Sequence, residues 1–197
     1  LLMLIPMLEI VVYGYFFTGT ALSQQAVARS QQEVHLQAEQ FTAALTQAHS
    51  DLLYIAQIRS LVALRSHLAA GDAGAVPAAV WNREATQDLL VMLASHPMYQ
   101  SIRWLDANGD ERVRVWTHNN EIAAVPTEQL TNRSESTYFK ETVRLEPFGT
   151  FVSPFGADRE SDVSVPVLHY GLSLGADGVI VLDVYVDWLL RGLPKNV

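Results

Sequence analysis

Hydrophobic and polar residues alternate twice within Ser101–Trp116, once on each side of a turn. The turn is Ala107-Asn108-Gly109-Asp110, and its Asn and Gly tolerate positive φ at little cost. Two alternating runs joined by so short a loop predict an antiparallel β-hairpin. The second run sets Arg112 and Arg114 on one face, opposite its valines. A face with two guanidinium groups either faces water or lines a site for an anion.

Patterns in the rest of the chain predict the elements of a small α+β domain. Apolar residues at helical spacing predict helices over residues 82–96 and 136–144, and residues 121–130 are predicted to form a loop or a short helical stretch. The predicted strands are 101–106, 111–117, 149–153, 164–174 and 179–186. Helices that precede a run of strands indicate an α+β fold with a five-stranded antiparallel sheet.

The N-terminal stretch Leu1–Leu22 is almost entirely apolar and carries one charge, Glu9. Its length matches the roughly 20 apolar residues that cross a bilayer, and aromatic residues gather near its C-terminal end. A cleaved signal peptide is the first alternative, but the stretch lacks a small-residue cleavage site. A buried helix of a soluble domain is the second. The pattern predicts a transmembrane helix.

Residues 23–69 contain neither proline nor glycine and are rich in good helix formers. Apolar residues follow alternating steps of four and three along this stretch, which is a heptad pattern. The positions are Val34, Ala38, Phe41, Leu45, Ala48, Leu52 and Ile55. The pattern predicts a long stalk helix that forms a weak parallel homodimer, although packing on its own domain explains the part from Phe41 onward equally well. The predicted organisation is a transmembrane helix (1–22), a stalk (23–70) and a folded domain (71–190).

Charge and composition exclude several functions. The net charge of −8 argues against a nucleic-acid partner, and the chain has no cysteine for a disulfide or a thiolate metal site. Its six histidines stand at no convincing metal-ligand spacing. The sequence also lacks a nucleophile elbow and a glycine-rich phosphate loop. We therefore expect no catalytic site, metal or cofactor.

Asp183 is the most unusual residue, because it lies within the otherwise apolar strand 179–186. A buried carboxylate needs a partner. Two partners are open at this point: an arginine of the hairpin, either Arg103 or Arg114, or the ammonium group of a ligand.

The hairpin and the segments after it resemble the Cache (PDC) sensor domain, and in particular the membrane-distal half of double Cache sensors of bacterial histidine kinases and diguanylate cyclases. The resemblance covers about residues 20–190. The family's hairpin pattern is matched by Tyr99, Ile102, Arg103, Asp106, Gly109, Glu111, Arg114 and Val115. Its later motifs are matched by Leu130, Asn132, Arg133, Ser134, Tyr138, Phe139 and the run Phe151-Val152-Ser153-Pro154. Two family arginines are missing, since Ser136 and His169 stand in the places where arginine is common.

The resemblance implies a PAS-like sheet in the periplasm, held to the inner membrane by the N-terminal helix, with the signalling output and a second Cache domain beyond this chain. It implies a ligand pocket over the sheet, which we assign to Arg114, Tyr138, His169 and Asp183. In that assignment Arg114 takes a carboxylate and Asp183 an ammonium group, so the ligand is an amino acid or a similar small carboxylate, and His169 makes binding depend on pH. The alternative is a membrane-anchored dimerisation or interaction module that binds no small molecule.

Overall fold

The computed structural model describes His35 and residues 38–71, 77–154 and 165–189. The predicted transmembrane helix and the first part of the predicted stalk lie outside these residues. Within them, no helix combines the length and the apolar character needed to cross a bilayer. Residues Ala43–Gly192 form one compact unit. The sheet and the site described below lie within this unit.

Three helices precede the first three strands, and a fourth helix separates these strands from the last three. The first helix, α1, spans residues 38–57. The other helices are α2 (Arg59–Ala69), α3 (Ala78–Ser95), α4 (Thr137–Val143) and α5 (Val186–Leu189). The strands are β1 (Tyr99–Leu105), β2 (Glu111–His118), β3 (Glu121–Ala124), β4 (Thr150–Val152), β5 (Val167–Ser173) and β6 (Val179–Tyr185). Short 3₁₀ turns occur at Thr127–Gln129 and Gly175–Asp177.

The strands form one antiparallel sheet in the order β3-β2-β1-β6-β5-β4. The predicted α+β fold with an antiparallel sheet is confirmed, but the sheet has six strands instead of five. The additional strand is β3, for which a loop or short helix was predicted. Asn119 and Asn120 both have positive φ, of 51° and 64°, which is the geometry of a two-residue hairpin turn between β2 and β3.

The predicted uninterrupted helix through residue 69 is wrong at one point. The chain leaves helical geometry at Ile58, where ψ is 126°, and α2 begins at the next residue. Arg65 of α2 reaches back across the break, and its Nη2 donates a hydrogen bond of 2.9 Å to the carbonyl of Ala56. A carbonyl in the last turn of α1 is therefore satisfied by a side chain. No proline or glycine marks the position.

The apolar positions of α1 pack within its own domain. Ala48, Leu52 and Ile55 of the heptad pattern are fully buried, and Ala44 beside them is buried as well. This part of the helix therefore packs on its own domain, which was the predicted alternative to a dimer seam. The predicted homodimer would therefore need positions nearer the N-terminus.

The two faces of the sheet are covered by different helices. On one face, the helix face, Tyr99 of β1 contacts α1, and Trp104 lines a cleft with residues of α2. On the other, the α4 face, Leu105 and Val181 form an apolar cluster with Tyr138 and Phe139 of α4. Gly171 of β5 allows α4 to approach closely, because a Cβ atom there would lie 2.2 Å from Thr142 Oγ1.

Candidate functional site

Arg103 lies at the centre of the α4 face and is completely buried. Its guanidinium group forms ion pairs with Asp183 of β6 and with Glu111 of β2, the latter at 3.2 Å. It also donates a hydrogen bond of 3.1 Å to the hydroxyl of Tyr138, whose ring centroid lies 5.5 Å from Cζ. A side chain of β1 thus connects two neighbouring strands with the helix that covers them.

Strand register places Asp183 between two further partners. It pairs across the sheet with Ser101 of β1 and His169 of β5. Ser101 Oγ donates to Asp183 Oδ2 at 2.5 Å, and His169 Nδ1 lies 2.7 Å from Oδ1. Because a carboxylate only accepts, Nδ1 must carry the proton in this contact.

These partners determine the ionisation of Asp183. Burial alone would raise the pKa of this carboxyl. The attraction of Arg103 and His169, with hydrogen bonds from His169 and Ser101, outweighs burial and holds the pKa of Asp183 below its usual range. Asp183 is therefore a carboxylate anion inside the domain.

A β-bulge determines which residues of β2 face this cluster. Leu105 pairs with Glu111 and Trp104 pairs with Val113, so Arg112 is an extra residue in the ladder. The prediction that Arg112 and Arg114 share a face is therefore wrong. Arg112 points outward, where Nε and Nη2 donate to Asp106 at 2.8 and 2.6 Å, and Glu111 points inward in its place.

Glu111 brings three guanidinium groups together. Its Oε1 lies 3.2 Å from Arg103, 3.7 Å from Arg114 and 3.3 Å from Arg133. Its Oε2 accepts a hydrogen bond of 3.1 Å from the backbone N–H of Thr131. Arg103 and Arg114 are direct cross-strand partners, a placement that repels unless an anion lies between them. Glu111 is that anion.

The structure brings the four predicted site residues together on the α4 face. All four are buried, with exposures of 2% or less. His169 contacts Asp183 directly, and its ring lies 4.6 Å from that of Tyr138. Arg114 joins the group through Glu111 and also lies 5.0 Å from the centroid of Trp116. The four predicted site residues therefore belong to one continuous cluster, and their assignment as a ligand site remains a prediction.

Three members of the cluster, Ser101, Arg103 and Glu111, are not among the four predicted site residues. Arg103 was named only as an alternative partner of Asp183, and the structure has that ion pair. Ser101 could have been found, since it lies two residues before Arg103 on the same side of a regular strand. Glu111 could not, because alternation along β2 puts it on the opposite face and only the bulge reverses this.

Comparison with known proteins shows similarity to solved sensor domains. The chain is 16% identical to a domain of a sensory box/GGDEF family protein from Vibrio parahaemolyticus, with a TM-score of 0.68 over 84% of this chain and 62% of that one. It is 16% identical to the extracellular domain of a histidine kinase, with a TM-score of 0.67 over 84% and 59%. It is 13% identical to the sensor domain of the V. cholerae histidine kinase DctB, with a TM-score of 0.60 over 87% and 61%.

These similarities concern the fold. The resemblance to Cache-type sensor domains is thereby confirmed at the level of architecture. The chain spans about three fifths of the length of the solved structures it matches. No protein-family model and no curated protein matches the sequence.

Proposed function

We propose that this chain is the extracytoplasmic ligand-sensing module of a membrane-bound bacterial receptor. The observation that carries the proposal is the cluster of Arg103, Glu111, Arg114, His169 and Asp183, buried beneath α4 at the centre of a sensor-type sheet. In this proposal Leu1–Leu22 is the membrane anchor, the sheet lies in the periplasm, and the signalling output lies beyond this chain.

The free-energy cost of burying charges favours a functional origin for the cluster. A buried ion pair loses hydration that its own attraction often fails to recover, and well-packed apolar residues of similar volume are frequently as stable or more so. Stability alone therefore gives little reason to place Arg103 and Asp183, both 0% exposed, in the middle of a sheet. Binding of a charged ligand would explain why these charges are placed there.

The side chains indicate the class of ligand. Guanidinium groups bind carboxylates through paired N–H donors, and Arg103, Arg114 and Arg133 converge on one carboxylate oxygen of Glu111. A ligand carboxylate has the same chemistry as that oxygen. Asp183 and the hydroxyl of Tyr138 add acceptors suited to an ammonium group. We therefore propose a small carboxylate, with an α-amino acid as the preferred form.

The test is a thermal-shift screen of the 197-residue chain in mild detergent against small mono- and dicarboxylates and α-amino acids. A ligand present at 100 times its Kd stabilises by about 2.7 kcal/mol. For a chain of this size, that free energy raises Tm by about 5–11 °C. We expect Arg114→Ala to abolish the shift and Arg112→Ala, on the same hairpin but outside the cluster, to leave it unchanged. Shifts that survive both Arg114→Ala and Asp183→Asn would place the ligand elsewhere.

The second candidate is a membrane-anchored dimerisation or interaction module without a small-molecule ligand. The observation in its favour is that the charges of the cluster bind one another, as in the pair of Arg103 with Asp183. This candidate predicts no shift with any probe, together with self-association of the chain through the stalk.

A further inference from the structure

Strand β1 donates hydrogen bonds to carboxylates on both faces of the sheet. Ser101 donates to Asp183 on the α4 face, at 2.5 Å. Tyr99 donates through its hydroxyl to Asp51 Oδ2 of α1, also at 2.5 Å, on the helix face. The two donors are two residues apart in the sequence, yet they bind partners on opposite sides.

A second β-bulge explains this arrangement. In a regular strand, residues two apart point to the same face. Tyr99 pairs with Val184 and Ser101 with Asp183, so Gln100 is an extra residue in the ladder between β1 and β6. The bulge turns Tyr99 to the helix face while Ser101 stays on the α4 face. Bulges are known to redirect a side chain in this way beside functional sites.

The Tyr99 contact is a polar attachment of α1 to the sheet. Asp51 is buried and accepts a second hydrogen bond of 2.8 Å from Gln47 Nε2, one turn earlier in α1. His96, at the end of α3, approaches the same carboxylate at 3.7 Å. Burial, followed by the hydrogen bond and charge of Asp51, raises the pKa of Tyr99, so the hydroxyl keeps its proton and remains a donor.

Gln100, the extra residue of the bulge, satisfies only part of its hydrogen-bonding capacity. Its side chain is buried, and Nε2 donates to the carbonyl of Thr117 at 3.3 Å. Its Oε1 is also buried, and within the described part of the chain it accepts no hydrogen bond. A buried acceptor without a partner costs free energy, so the bulge is a locally less stable part of the strand.

We propose that the bulge at Tyr99-Gln100-Ser101 couples the charged cluster to α1. A change in the bond between Ser101 and Asp183 shifts the bulge and thereby weakens or strengthens the bond between Tyr99 and Asp51. The role of this coupling in signalling rests on the proposed function, because ligand binding at the cluster would supply the change. The coupling itself is a property of the chain without ligand.

Amide hydrogen exchange in residues 44–56 of α1 tests the coupling on the 197-residue chain in mild detergent, without any ligand. Tyr99→Phe removes one hydrogen bond to the buried carboxylate of Asp51. Local opening of α1 should then be easier, and its amide exchange rates should rise about tenfold or more. Ser101→Ala, which acts on the opposite face, should raise the same rates at least about threefold. In the Tyr99→Phe background, Ser101→Ala should have no further effect on α1.

Two substitutions of the same chemistry serve as controls. Ser173→Ala removes another buried serine hydroxyl of the α4 face, one that donates to Leu145 O, and Tyr170→Phe alters another buried tyrosine of the sheet. Neither should change exchange in α1. If Ser101→Ala fails to fold, Ser101→Cys keeps the volume with a weaker donor.

The proposal is overturned if Ser101→Ala leaves α1 unchanged, matches Ser173→Ala, or acts equally in the Tyr99→Phe background. Since no ligand is used, these outcomes are separate from those of the thermal-shift screen. Coupling without any ligand hit would remove the sensing function alone, and hits without coupling would remove this inference alone.

Discussion

Replacing Arg103 by methionine tests how much the buried cluster depends on its central cation. Arg103→Met leaves Asp183 and Glu111 buried and takes away the guanidinium group that both carboxylates contact. Removing one partner of a buried ion pair costs about 3–5 kcal/mol, because the remaining charge is left without compensation. For a domain of this size, such a loss lowers Tm by about 6–20 °C. Glu111 retains Arg114 and Arg133, so most of the cost falls on Asp183.

Urea unfolding followed by tryptophan fluorescence measures this loss, since Trp104 is buried in the sheet next to Arg103. A double-mutant cycle with Asp183→Asn, which removes the charge and keeps an acceptor, isolates the pair. We expect Arg103→Met to cost less in the Asp183→Asn background, with a coupling of at least about 1 kcal/mol.

The matched control is Arg112→Met on the same hairpin. Its ion pair with Asp106 is exposed, with side-chain exposures of 43% and 19%. Such surface pairs contribute about 0–1 kcal/mol. If Arg103→Met costs no more than Arg112→Met, or if the effects of Arg103→Met and Asp183→Asn simply add, the description of Arg103 as the compensating charge is wrong.

Three further predictions concern pH, backbone strain and the stalk. The pKa of Asp183 is lowered in the folded chain, so its contribution is complete above the ordinary carboxyl pKa of about 3.9 and disappears as pH falls through the folded value. The free energies of unfolding of wild type and Asp183→Asn, measured against pH, should therefore differ at pH 7 and converge in acid, and a constant difference would contradict this. Gly178 has φ of 92°, and a Cβ atom there would lie 2.1 Å from Leu105 O. Gly178→Ala should therefore lower the free energy of unfolding, measured in urea, by more than about 2 kcal/mol. Gly71 also has positive φ but open space around it, so Gly71→Ala should lower it by about 1 kcal/mol. For the predicted stalk dimer, oxidation of this cysteine-free chain should cross-link Ala38→Cys, which is exposed, and not Ala48→Cys, which is buried. Cross-links at neither position would argue against the dimer.

The sequence was sufficient to predict most of the sheet and the face on which the site residues meet. Alternation in Ser101–Trp116 and the valine-rich strand 179–186 depend on the period of two, which burial of a sheet imposes directly. Asp183 was identifiable because a charge within an apolar strand must find a partner. These predictions use short-range patterns, and the structure confirms the strands that they indicate.

The parts that sequence analysis missed depend on contacts between distant residues. The inward orientation of Glu111 requires a bulge that depends on the pairing of β1 with β2. The break at Ile58 is bridged by the Arg65 side chain from the following helix. Strand β3, by contrast, has a local signal in Asn119-Asn120, since asparagine tolerates the positive φ of a two-residue turn.

The two bulges also explain why the charged cluster can occupy the middle of the sheet. They interrupt the ladders of β1 at opposite ends, at Tyr99/Ser101 against β6 and at Trp104/Leu105 against β2. The regular segment between them carries Arg103. A shift of one residue in this segment would turn Arg103 to the helix face and Ile102 into the cluster, which would leave Asp183 buried without its guanidinium partner. The charges therefore fix the register of β1, and the bulges place their partners within reach.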